Sequence, residues 1–142
     1  DIRGVVRTIL QRYRYNKDQE RAFGLLAEHR LTESEQQLFM FIVGSAGTGK
    51  SHIIRGLEDL FRSIDAKDEL RKTAPTGCAS FLILTETLHA MLMIYGRYLD
   101  DIRGPQLEAL QVRWRGVKYL AIDEVSMVGA VLNARTSKRL QL

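Results

Sequence analysis

Two short apolar runs, residues 38–43 and 117–122, organise the chain, each followed by residues suited to a turn or a helix start. Residues 38–43 (LFMFIV) are apolar without a break and lead into a glycine-rich stretch. That pattern predicts a strand buried on both faces, as in a parallel sheet. RKTA at 71–74, ended by Pro75, predicts a short second strand, and VKYLAI at 117–122 a third. Between them the apolar positions switch to helical spacing. After Gly49, Ile53, Ile54, Leu57, Leu60, Phe61 and Ile64 recur on one side of a helix. Asn16 with Gln19 three positions on is a capping-box signature, and Ala22, Phe23, Leu25 and Leu26 give the following helix, ending near His29 or Arg30, its apolar stripe. Val5, Val6, Ile9 and Leu10 suit a short helix before it; 31–37 is a polar connector and 66–70 a continuation or turn. Residues 77–94 read as mostly helical with a polar interruption at Thr85–Thr87, 105–113 as a helix, and 126–142 as a final one. Strands alternating with helices predict an α/β fold, a parallel sheet flanked by helices.

Composition narrows the class without naming a function. A chain of 142 residues has room for one ordinary domain. Its 45% hydrophobic and 27% charged residues are globular values. The single cysteine, Cys78, excludes a disulfide framework within the chain. No apolar run nears the length needed to span a bilayer, nothing resembles a secretory signal, and no membrane partner is expected. A net charge of +4 admits a polyanionic partner without demanding one.

The strongest chemical signal is GSAGTGKS at 44–51, which fits G-x-x-x-x-G-K-[ST]. The pattern arises by chance in roughly one chain in 200 of this length, and the strand before it and helix after it lower that further. Glycines let the backbone wrap a phosphate with several N–H groups turned inward. The candidate nucleotide-binding residues are Gly44, Ser45, Ala46, Gly47, Thr48, Gly49, Lys50 and Ser51. Lys50 supplies charge for the β- and γ-phosphates, a catalytic contribution, and Ser51 a hydroxyl for Mg²⁺. The helix that follows adds its positive N-terminal end.

Asp123 and Glu124 follow the third predicted strand, 117–122. Ligands of open α/β sheets lie outside the carboxyl ends of strands, so this pair is expected to share a crevice with the glycine loop. There Asp123 would hold the Mg²⁺ shell and Glu124 would orient and deprotonate the attacking water.

Four segments, in order, give the chain a family resemblance: NKDQERAF at 16–23, GSAGTGKS at 44–51, TAPTGCAS with TLHAML at 73–80 and 87–92, and LAIDEVSMVGAVL at 120–132. Together they resemble superfamily 1B DNA helicases of the PIF-one and RecD class, most closely the helicase region of Helitron-type transposable elements. The resemblance spans most of 13–142. It implies a RecA-like P-loop NTPase domain, helicase domain 1A, with ATP and Mg²⁺ as cofactors and single-stranded DNA as partner. It maps the family's adenine-reading glutamine onto Gln19, with Asn16 in the same motif, although Gln19 is equally well placed to close the capping box. It places Thr76, Gly77, Thr87 and His89 along the DNA path. Cys78 reads as core, and RYRY at 12–15 and Trp114 as partly buried aromatics in a basic surface.

The pattern departs from the family in two ways. Glu86 stands where the family has glycine before T-L-H, and Leu82–Leu84 replace its usual turn. The family's next motif, a G-D-x-x-Q strand end, and its second RecA-like domain with the arginine finger are absent from these residues. The expectation is therefore the N-terminal part of a RecA-like motor domain, with a gap in its sheet, exposed apolar surface, the remainder of the helicase chain as partner and a nuclear or mitochondrial location. By itself such a piece is expected to show little ATPase activity. The rival readings are a nucleotide- or DNA-binding remnant without turnover, and a P-loop ATPase of another kind.

Overall fold

The computed structural model describes residues 2–45, 47–96 and 101–142. It divides into two compact units, one running to Lys67 and one from Asp68 to Leu142.

The first unit is helical: α1 (Ile2–Tyr13), α2 (Lys17–Leu31) and α3 (Lys50–Ser63) pack pairwise. Helix α2 begins where the sequence predicts, because Asn16 caps it. Its side chain accepts from the Gln19 backbone N–H, and the Gln19 side chain returns the bond. Phe23 and Ala27, one turn apart, are its buried face, while Leu25 stays about half exposed. Helix α3 buries Ile53, Leu57, Leu60 and Phe61 and turns Arg55 and Arg62 outward. Full burial of a leucine or phenylalanine stabilises the fold by about 1.5–3 kcal/mol, so this face supplies much of the unit's core.

Residues 38–43 correct the sequence expectation. They form no strand and have no ladder partner among the described residues. Phe39, Phe41 and Val43 are 83%, 68% and 79% exposed. An apolar run expresses a tendency to be buried, but only a neighbouring strand supplies the hydrogen bonds that make it a strand. The exposed apolar surface foreseen from the sequence is here.

The second unit holds the sheet, two parallel strands, β1 (Leu70–Thr73) and β2 (Tyr119–Ile122), in register Leu70 to Tyr119 through Thr73 to Ile122. Parallel strands need a long crossover. It is supplied by α4 (Gly77–Leu82), α5 (Leu88–Met91) and α6 (Pro105–Trp114). Leu88, Leu92 and Ile94 form a buried cluster, with Trp114, Ile122, Val128 and Leu132 packed against it. The expected single helix over 126–142 is divided. Val125–Met127 is a 3-10 turn, and α7 (Ala130–Leu140) starts after Gly129. Val128 has an extended backbone, and its side chain joins the buried cluster. Among the described residues no helix is long and apolar enough to cross a membrane.

Candidate nucleotide and DNA sites

In the first unit the glycine loop is fastened by side chains. Gly47 and Gly49 have φ of 77° and 85°, the left-handed region in which a side chain is strained. A Cβ at Gly49 would also collide with the Gln19 amide. Thr48 Oγ1 donates to the Ser45 carbonyl at 2.8 Å. Lys50 Nζ donates to the carbonyls of Gly44 and Ser45, both at 2.8 Å. Ser51 lies half-buried in the first turn of α3, a helix of 14 residues. Its N-terminal end carries an effective charge of roughly +0.5, favourable to an anion. Ala46 lies outside the described residues.

Gln19 serves the protein itself in this structure. Its Oε1 accepts from the Asn16 N–H at 3.0 Å. Its Nε2 donates to the carbonyls of Thr48 at 3.1 Å and Gly49 at 3.3 Å. The capping box and the loop thus share one amide, and Asn16, Gln19, Thr48 and Gly49 come together as the motif order suggests. Both N–H bonds of that amide are committed, so pairing with adenine requires it to exchange them.

Behind the loop lies a cluster that sequence reading valued only as surface aromatics. Tyr13 and Tyr15 stack at 5.4 Å, and each meets the His52 ring edge-on. Tyr15 donates to the His52 carbonyl at 3.1 Å, and Tyr13 to Asp59 at 2.9 Å. Arg12 pairs with the same Asp59 carboxylate at 3.1 Å. Gly56 permits this, since a Cβ there would overlap the Tyr15 hydroxyl. Burial pushes the Tyr15 hydroxyl well above its ordinary value, helped by Tyr13 and Asp59. The signal was the tyrosine spacing in RYRY together with a glycine inside an otherwise ideal helix. The two tyrosines are partly buried, as expected.

The second unit holds the acidic pair. Asp123 is buried, donates its N–H to the Thr73 carbonyl at 2.9 Å, and accepts from the Glu124 N–H at 2.9 Å. Glu124 is exposed in a left-handed conformation with φ 52°. Strand β2 therefore ends in an anchored aspartate followed by an outward-facing glutamate.

The residues expected on the DNA path are two helix starts and a neighbour. Thr76 caps α4, accepting from Ala79 N–H at 3.2 Å, and the exposed Gly77 follows it. Thr87 caps α5, accepting from Ala90 N–H at 3.3 Å, and His89 is exposed on the same short helix. Cys78 is exposed, not core, because it sits on the outer side of α4 while Ala79 and Ser80 turn inward. Trp114 is half-buried and donates Nε1 to the Met91 carbonyl at 3.4 Å.

These residues fit the expected ligands in kind. Two left-handed glycines, a lysine at the loop and a helix N-terminus suit a phosphate chain. Among the described residues no three of His, Cys, Asp and Glu gather as a metal cage.

The chain thus carries a glycine loop before an amphipathic helix and an Asp-Glu pair ending a parallel strand. Comparison with known proteins gives the family. The PIF1-like helicase family matches residues 14–139, and the chain belongs to that family. It is 34% identical over 115 residues to the ATP-dependent DNA helicase RRM3 of Saccharomyces cerevisiae, covering 78% of this chain and 15% of that protein. It is 39% identical over 100 residues to the ATP-dependent DNA helicase PIF1 of Emericella nidulans, covering 63% of this chain and 13% of that protein. It is 31% identical over 119 residues to the ATP-dependent DNA helicase Pif1 of Bdellovibrio bacteriovorus, covering 74% of this chain and 26% of that protein. The chain thus spans only a small part of these relatives' own length. No solved structure gives a significant match.

Proposed function

We propose that these residues are the N-terminal, ATP-binding part of a RecA-like motor domain in an ATP-dependent DNA helicase that moves on single-stranded DNA. The observation that carries the reading is the glycine loop built onto α3, with Lys50 at its centre and Gln19 tied to its far side. Bound MgATP supplies the bond whose hydrolysis drives movement. In the complete helicase Lys50 would bind the phosphates, Ser51 and Asp123 would hold Mg²⁺, and Glu124 would take the proton of the attacking water. Asn16 and Gln19 take the adenine side. Thr76, Gly77, Thr87 and His89 line the DNA path. The remainder of the helicase chain supplies the second motor domain and the strand partners that 38–43 lacks. The narrower placement, in a Helitron-type element, rests on the four sequence segments alone, and a nuclear or mitochondrial location on the activity.

A second reading, a nucleotide-binding module without turnover, is favoured by the exposure of Phe39, Phe41 and Val43. Strand separation by the full-length helicase distinguishes the two. ATP-dependent unwinding lost on Lys50→Ala, and Glu124→Gln that binds ATP without hydrolysing it, are expected of the motor. Unchanged unwinding in both variants contradicts it.

A further inference from the structure

Glu86, which departs from the family pattern, is not idle in the structure. The turn it belongs to is stitched to the first strand and its extension. Thr85 Oγ1 donates to the Lys72 carbonyl at 2.5 Å, Thr73 Oγ1 to the Glu86 carbonyl at 2.9 Å, and Leu88 N–H to the Ala74 carbonyl at 2.9 Å. Those bonds fix the backbone up to the start of α5. The far end of α5 is held from α6. Arg113 Nη2 lies 2.5 and 2.6 Å from the two carboxylate oxygens of Glu86. The same guanidinium donates through Nη1 to the Ala90 carbonyl at 3.3 Å. One planar cation therefore spans the residue before Thr87 and the residue after His89. Trp114, next in sequence, adds its bond to the Met91 carbonyl.

We propose that Glu86 and Arg113 are positioning residues for single-stranded DNA binding. They form a brace that fixes the short helix α5 so that Thr87 and His89 face the strand together. The proposal rests on the reading of Thr87 and His89 as DNA contacts. The brace fits that role better than a role in global stability. Its partners are 49% and 38% exposed at the side chain, and an ion pair so exposed adds little to the stability of a fold. A helix of four residues cannot hold its own geometry, since nucleation is costly and no second turn follows. Arginine is required, because lysine offers a point charge that cannot reach a carboxylate and a carbonyl in one plane.

The charges make the test decisive in sign. Glu86→Gln removes a negative charge near a polyanion, so electrostatics alone would tighten DNA binding. The brace predicts the opposite, a loss of about fivefold, the lower end of coupling between linked groups. Arg113→Lys keeps the charge and is expected to lose a similar factor. The exchange Glu86→Arg with Arg113→Glu keeps the net charge and is expected to recover most of the affinity. The measurement is binding of the full-length helicase to a labelled oligo-dT by fluorescence anisotropy. It is made beside thermal melting and hydrogen exchange of residues 86–92. Faster exchange in that segment, an unchanged melting midpoint and weaker DNA binding support the brace. Equal or tighter binding by Glu86→Gln and Arg113→Lys, while Thr87→Ala and His89→Ala weaken it, overturns the brace and leaves the DNA contacts standing. Binding indifferent to Thr87→Ala and His89→Ala overturns the DNA reading, and the proposal with it.

Discussion

Residues 38–43 and 117–122 are matched in place and unlike in fate. Each is a short apolar run leading into a phosphate-chemistry motif, the glycine loop or the Asp-Glu pair. The last four residues of the second run, Tyr119–Ile122, become β2, paired with β1, and the ladder continues into the bond from Asp123 N–H to the Thr73 carbonyl that anchors the aspartate. The first has no ladder partner among the described residues and is exposed, so no described sheet supports the glycine loop. It is held instead by side chains: Gln19 from the α2 cap, Thr48 within the loop, and Lys50 across it. Two motifs with related chemistry are thus fixed by different means, one by strand hydrogen bonds and one by a cap and a lysine.

The largest expected effect is at the paired run. Ile122→Asp places an uncompensated charge against the Leu88–Leu92–Ile94 cluster and removes its apolar contact there. It should cost about 3 kcal/mol or more. The same change at the exposed run, Phe41→Asp, should stay within about 0.5 kcal/mol. Urea unfolding followed by far-ultraviolet circular dichroism, which reports the helices of both units, reads both. Equal losses would erase the distinction between the runs.

Next in size is the cap. Asn16→Ala removes the bond to the Gln19 N–H and should cost about 1 kcal/mol, seen as an earlier thermal midpoint. It should also raise hydrogen exchange in the glycine loop, because Gln19 links the two. Loop exchange that does not move would separate the cap from the loop.

The smallest effect appears only in alkali. The folded chain holds the Tyr15 hydroxyl above its ordinary value of 10.0, mainly by burial. The folded state thus favours the protonated phenol. That contribution is complete below about pH 10 and is lost as pH rises toward the folded value. Tyr13 is shifted the same way. Tyr15→Phe should flatten the fall in stability above pH 10 measured by urea titration, and an unchanged slope would remove Tyr15 from that role.

The sequence made legible what local chemistry decides. Asn16 and Gln19 announced the α2 cap, the spacing from Ile53 to Phe61 the buried face of α3, and the glycines and Lys50 the loop. It misled where a partner decides. The run at 38–43 carries no sign of whether a neighbouring strand is present, and Val128 and Gly129 interrupt a helix that propensity alone would extend. Cys78 looked apolar and small enough for the core, yet a helix of six residues has an outer side too. The contacts of Glu86 with Arg113 and of Tyr15 with His52 join residues 27 and 37 positions apart, which no local pattern records.

The central claim is that this loop binds nucleotide through Lys50. Thermal unfolding of the chain with and without MgADP, beside Lys50→Ala, tests it most directly. At 100 times the dissociation constant, the ligand should stabilise the wild type by about 2.7 kcal/mol and raise its midpoint visibly, with no shift in the variant. A wild-type midpoint that does not move, or an equal shift in both proteins, would contradict it.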